Sequence, residues 1–407
     1  MALTDTIIMW LLLLFISLPF LYGAHKLYLK QRNPNPHVEF GQHIQPLSSL
    51  TPEMLLSGQY EDRKYMPFRY PQAQTMALCK LDMNHWGMMD KEYIYFMNEK
   101  RRLFDEYDPK KLASNKLYKR MGRGRGEDGD KTGKHYDEVF VEFANFVVNH
   151  YTTRFPRLFV KRGRIVHNVL MDEQYDLDKM DPFLIATRIA MEDFYIIKKD
   201  EIMDEQKCIG VSVAFGGGGF PITPIVGEGI HKIHAKVPYY ESKLKFSMSK
   251  WFDRFVDPVE RSSWHIVWDK NLNCSEFYDK YRQFADVGSP EKFQEYVSTI
   301  PFEKFEVRIE RQTLIKLPRT GAIVFSNHPL FLNIERELLD VPSVPAIIQR
   351  ILHDAPEDVI KYKHYDLLRD HLDPMLTKAV ARQIHLGMYD PQVRLQTLPG
   401  YPFFYNP

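Results

Sequence analysis

Residues 305–327, FEVRIERQTLIKL followed by PRTG and AIVFSN, constrain the fold more than any other stretch of the chain. Phe305, Val307 and Ile309 fall on one side of an extended backbone and Glu306, Arg308 and Glu310 on the other, the period of two that defines a strand. Pro318 to Gly321 is turn chemistry and 322–327 returns, so the segment predicts an antiparallel hairpin. KCIGVSVAF (207–215) and SSWHIVWD (262–269) read as further strands, β-branched or alternating and short. Helical periodicity marks 90–107, 136–155, 181–199, 344–353 and 356–372; Asp181 caps the third of these and Pro182 opens it. Helices around an antiparallel sheet make the expected class α+β.

The first forty residues carry a different signal. Residues 7–24, IIMWLLLLFISLPFLYGA, hold no charge over eighteen positions, and a helix of that length spans about 27 Å. His25, Lys26, Lys30 and Arg32 follow it, whereas only Asp5 and the amino terminus precede it. A cleavable signal peptide expects the opposite order. The reading is therefore a single-pass transmembrane helix, with the remainder of the chain in the cytosol and the endoplasmic reticulum as the membrane. Asn273-Cys274-Ser275 is a formal glycosylation sequon that points the other way, and on the cytosolic reading it carries no glycan. The chain divides into an anchor (1–32), a linker rich in Pro, Asn and Ser (33–59), one large domain (60–373) and a C-terminal extension (374–407).

With 54 basic and 53 acidic side chains the formal charge is +1, which argues against nucleic acid as a partner. Three cysteines at wide spacing make neither a disulfide framework nor a zinc motif, and are too few for an iron–sulfur cluster. GGGGF (216–220) lacks the strand-to-helix setting of a dinucleotide fingerprint. The run 121–134, rich in Gly and charge, lacks the spacing of a phosphate loop and reads as a solvated loop. Neither a serine-hydrolase elbow nor an H-E-x-x-H zinc helix occurs. His231 and His234, in GEGIHKIHAKVP, stand three apart, one face of a helix. Spacing alone leaves structural histidines, half a zinc site and a haem ligand all open.

VRIERQTLIKLPRTGAIVF (307–325) closely resembles the signature of the haem-dependent oxidative N-demethylase-like family, which includes the haem subunit of a bacterial dimethylamine monooxygenase. YMPFRY (65–70), WGMMDKEYIYFMNEKRRLF (86–104), RFPRLF (154–159), DPFLIATRIAMEDF (181–194), GEGIHKIHAKVP (227–238) and VIKYK (359–363) match in the same order. The resemblance implies a PAS-like haem-binding domain and a monooxygenase that activates dioxygen to oxidise or demethylate a small organic substrate. A haem-binding sensor or a non-catalytic binding module is the alternative, because one fold serves both. The resemblance also implies haem b iron held by His234, with His231 beside it, and electrons from a separate NADPH-dependent reductase. Glu192 and Asp193 match the family's acidic pair on a long helix, and Glu310-Arg311 its Glu-Arg hallmark. Glu192, Arg311 and His265 are the candidate catalytic residues. The chain departs from the family at His265 and Val267, where an arginine and an asparagine are usual, at 216–219, and at SNHPLF (326–331). The N-terminal run, which the bacterial enzyme lacks, points to a membrane-anchored, eukaryotic, fungal branch.

Overall fold

In chain order the strands are β1 (Cys79–Lys80), β2 (Tyr118–Arg120), β3 (Phe159–Arg162), β4 (Ile165–Asn168), β5 (Glu173–Asp176), β6 (Asp193–Asp200), β7 (Glu205–Ser212), β8 (Val259–Val267), β9 (Glu306–Lys316) and β10 (Ile323–Asn333). They come from a computed structural model that describes residues 43–60, 64–72, 75–104, 118–121, 133–215, 222–254, 256–396 and 398. The apolar run 7–24, the four glycines and most of the loop at 121–134 lie outside the described residues. Among the described residues no helix is long and apolar enough to cross a membrane.

Among these residues an antiparallel seven-stranded sheet runs β1-β8-β9-β10-β6-β7-β2, and β3, β4 and β5 form a small second sheet. The class is α+β, as the periodicity predicts. The hairpin is present with β9 and β10 paired over their whole length, from Lys316 opposite Ile323 to Glu306 opposite Asn333. Its turn is held by Glu142, which accepts hydrogen bonds from the backbone N–H groups of Arg319 (2.6 Å) and Thr320 (2.8 Å). SNHPLF continues β10 rather than ending it. Pro329 is tolerated because β6 pairs with β10 only as far as Asn327, so the missing N–H at 329 leaves no β6 partner unmet.

One expected helix is cut short. Asp181 caps it, accepting from the Leu184 N–H at 3.1 Å, but the helix spans only Pro182–Ile189 and β6 begins at Asp193. DFYIIKK is aromatic and β-branched, and β10 and β7 both pair with it, so tertiary pairing overrides the helical period. Lys100 satisfies the carbonyls at the break, donating to Ala190 (2.9 Å) and Glu192 (2.6 Å). Glu192 and Asp193 thus sit at the entry to a strand, not on a long helix. The helix expected at 356–372 is two, Glu357–Tyr362 and Tyr365–His385, and the second runs through residue 373.

The sheet is buried on both faces. Toward one, Trp86, Phe146, Tyr151 and Phe194 pack with the helix Gly133–Arg154, in contact with Pro182–Ile189. On the other, register aligns Arg261 with Gln312, Gln312 with Asn327, and Leu314 with Phe325 and Val259. The charged side of the β9 alternation therefore does not face water: Arg308 is only 1% exposed.

Candidate functional site

That second face floors a cavity of about 620 Å³, within the ~300–1,000 Å³ typical of cofactor and ligand sites. Ser263, His265, Glu310, Gln312, Leu314 and Asn327 rise from the floor. The roof is the segment 222–252, which contributes Ile230, Ile233, His234, Tyr240, Met248 and Trp251. Tyr278, Tyr362, Lys363 and His364 close one end, and Arg69 and Arg261 also reach the lining. The lining combines aliphatic and aromatic side chains with ionisable ones.

His231 and His234 sit on a five-residue helix, Ile230–His234, tied to the edge of β7. The Cys208 N–H donates to the Glu228 carbonyl at 3.0 Å and the Gly227 N–H to the Cys208 carbonyl at 2.7 Å. Gly227 has φ +97°, where a side chain would be strained, so the glycine of GEG is what lets the chain turn back into the roof.

The two histidines have opposite bonding. His231 is engaged at both ring nitrogens, Nδ1 with the Tyr240 hydroxyl and Nε2 with Ser249 Oγ at 3.1 Å. His234 uses only Nδ1, which donates to the Ile230 carbonyl at 2.7 Å. Its Nε2 takes no hydrogen bond among the described residues, and the side chain lines the cavity. Burial pushes the imidazole pKa below the usual value, with Arg261 and His231 adding to the effect, so the ring is neutral and its Nε2 lone pair available. The Tyr240 ring stacks on it, with centroids 5.5 Å apart at 22°. This is the arrangement of a histidine metal ligand, in which the second nitrogen's hydrogen bond fixes tautomer and orientation. Tyr240 opens a π-helical turn (Tyr240–Leu244), a distortion frequent near functional sites.

His265 also lines the cavity, and its Nε2 lies 3.2 Å from Lys363 Nζ. Burial, then Lys363 and Arg308, hold its pKa well below the usual value. Lys363 donates further to Ser263 Oγ (2.7 Å) and the Trp264 carbonyl (3.1 Å). Glu310 is paired with Arg308 at 2.7 Å.

Glu192 and Arg311 are not brought to this cavity. Both lie on the opposite face of the sheet. Arg311 is buried against Glu260, its Nε donating at 2.8 Å, and it also donates to the His85 carbonyl. Glu192 accepts from His328 Nδ1 at 2.8 Å and from the Tyr151 hydroxyl at 3.1 Å, and Asp90 lies 3.4 Å from the other nitrogen of His328. Asp193 accepts from the Ala214 and Phe215 N–H groups at 2.7 and 2.9 Å, which anchors the chain leading into the four glycines. Sequence reasoning missed Lys363, His328 and Asn327; for Lys363 the matched VIKYK segment was the available signal.

The pattern of proteins described as haem-dependent oxidative N-demethylase, alpha subunit-like, matches residues 77–372. The chain belongs to that family. No curated protein matches it. Haem is the group the family's description implies, and the residues fit it. One neutral imidazole with a free Nε2 is the only protein ligand a porphyrin iron needs, since the macrocycle supplies four nitrogens. No cluster of three or more His, Cys, Asp or Glu capable of holding a bare ion occurs among the described residues. Asn327 Oδ1, buried and without a hydrogen-bond partner, is a polar atom on the cavity floor that a bound group can satisfy.

Proposed function

We propose that the chain is a haem-dependent oxidoreductase that uses dioxygen to oxidise or demethylate an organic substrate, and that His234 Nε2 is the atom that would hold the haem iron. The observation that carries this reading is the division of labour between the nitrogens of His234, Nδ1 committed to the Ile230 carbonyl and Nε2 turned to a large cavity. Haem supplies the reductive chemistry of dioxygen when bound; the chain supplies position and polarity. Ile230, Ile233, Met248 and Trp251 give the macrocycle an apolar wall and keep water from the reacting face. Arg69 and Arg261 are the cations suited to its propionates. His265, at the polar end of the cavity, is placed to meet the substrate. Glu192 and Arg311 act through the fold, as buried charges that order the sheet.

The electrons come from a separate NADPH-dependent reductase, since the sequence holds no nucleotide fingerprint and too few cysteines for a cluster. Anchoring by residues 7–24, with the domain in the cytosol, would place both proteins at one membrane. The test is turnover by the full chain with NADPH, a flavoprotein reductase and a panel of N-methyl and O-methyl compounds. Formaldehyde released only when all components are present is the expected result. Release with NADPH and no reductase would contradict the electron route. A spectrum that responds to gases without turnover of any compound would make the protein a sensor instead.

A further inference from the structure

Lys363 stands between two helices, after Glu357–Tyr362, and its ammonium reaches across the cavity end to β8. An ammonium has three donors and no acceptor. Here the three go to the Ser263 hydroxyl, the Trp264 carbonyl and His265 Nε2, at 2.7, 3.1 and 3.2 Å. The last of these settles the histidine. Nε2 must accept, so the one proton of the neutral ring lies on Nδ1. That nitrogen has no hydrogen-bond partner among the described residues, and His265 lines the cavity.

We propose that Lys363 is a positioning residue that locks His265 in its Nδ1–H tautomer, so that the polar end of the cavity offers a hydrogen-bond donor and selects a substrate bearing a neutral or anionic oxygen acceptor over an ammonium. Charge supports the same selection. Arg308 and Glu310 pair at 2.7 Å, and Lys363, Arg69 and Arg261 place three further cations in a lining whose only carboxylate among the described residues is Glu310. A protonated amine would enter against that field and find a donor where it needs an acceptor. This assignment deepens the haem-oxidase reading and rests on it for what happens to the substrate, but the tautomer itself is independent of haem.

The tautomer is readable by nitrogen-15 NMR of the full chain labelled at histidine, recorded with and without added zinc protoporphyrin as a diamagnetic stand-in. The expected result is a His265 signal with Nδ1 protonated and Nε2 as acceptor at pH 7, with or without the porphyrin. Lys363→Arg should keep it, and Lys363→Met should move the proton to Nε2 or mix the two forms. The wild-type chain supplies a measurement that needs no variant. Burial lowers the Lys363 pKa to about 8, with Glu310 opposing and Arg261 and Arg308 reinforcing that shift. His265, His364 and Tyr362 are the other titratable groups beside it, and all three are neutral at that pH. Raising the pH through 8 should therefore release the lock in parallel with the ammonium.

The ligand half is tested with cyclohexanecarboxylate, cyclohexanecarboxamide and cyclohexylmethylammonium, matched in shape. The first two should bind the wild type about tenfold or more tightly than the third, the worth of one good hydrogen bond, and Lys363→Met should narrow that gap. An Nε2–H ring in the wild type at pH 7, or ammonium binding equal to the carboxylate, overturns the proposal. Failure of the haem reading shows separately, as a chain with the expected tautomer and no Soret band.

Discussion

Alanine at His234 is expected to lower haem affinity by more than about 100-fold, and the paired change at His231 to leave it within about tenfold. On the proposed reading His234 Nε2 would hold the iron, and alanine removes that atom outright. Losing a mere hydrogen-bond partner of a ligand costs ~10–100-fold, so the loss of the ligand itself must exceed that range. His231 touches the site through Tyr240, whose hydroxyl it holds and whose ring lies on His234. Its removal loosens the support of the ligand without touching Nε2. Titration of each variant with haemin, followed at the Soret band, measures both. Added imidazole should restore part of the band in His234→Ala and change nothing in His231→Ala. A tightly bound haem in His234→Ala, lost instead in His231→Ala, would reverse the assignment.

The second large effect lies on the other side of the sheet. His328 is buried between Glu192 at 2.8 Å and Asp90 at 3.4 Å. Burial alone would lower its pKa, but the two carboxylates outweigh burial and raise it to about 9. Glu192 is likewise held below its usual range: burial acts to raise it, and the His328 charge, then its hydrogen bond, prevail. Removing either partner strands a buried charge, so His328→Ala or Glu192→Ala should cost ~3–5 kcal/mol of stability. The double change should cost less than the sum of the two. The sign with pH follows. A histidine whose folded pKa exceeds its unfolded value of 6.5 contributes fully below pH 6.5, and the contribution fades as pH rises toward 9. For Glu192 the contribution is full above pH 4.5 and is lost as pH falls below it. The stability lost in His328→Ala relative to the wild type, measured by denaturant unfolding, should therefore be greatest between about pH 5 and 6.5 and shrink as pH rises toward 9. A loss that grows between pH 7 and 9 would contradict a charged His328.

How far the sequence foretold these features depends on how local each one is. The β9–β10 hairpin is a local object: a period of two, a Pro-Gly turn and a return strand are all visible within about thirty residues, and the fold class followed from them. The break between the helix Pro182–Ile189 and β6 was not visible. FLIATRIAMEDFYII is apolar enough for either period, and what decides is pairing with β10, more than a hundred residues later. At the site, spacing put His231 and His234 on one helical face but could not rank them. The ranking comes from the partners Tyr240 and Ser249, which occupy both nitrogens of one ring only. His265 was reached through a departure from the family. Lys363, the residue that fixes its tautomer, lies 98 positions away and acts by a contact no pattern encodes. His328 is separated from Glu192 by 136 positions and from Asp90 by 238, so a buried triad of that kind cannot be read from one sequence. Glu192 and Arg311 illustrate the converse: both are charged residues in matched motifs, and the fold buries them away from the cavity, against His328 and Glu260 respectively.

If the cavity between the sheet and the helix Ile230–His234 holds haem, the absorption spectrum of the purified full chain reports it, titrated with haemin while near-ultraviolet circular dichroism confirms that the chain is folded. A Soret band that saturates at one haem per chain is the predicted result. A folded chain that takes up no haem, with no saturable Soret band at any ratio, would contradict it.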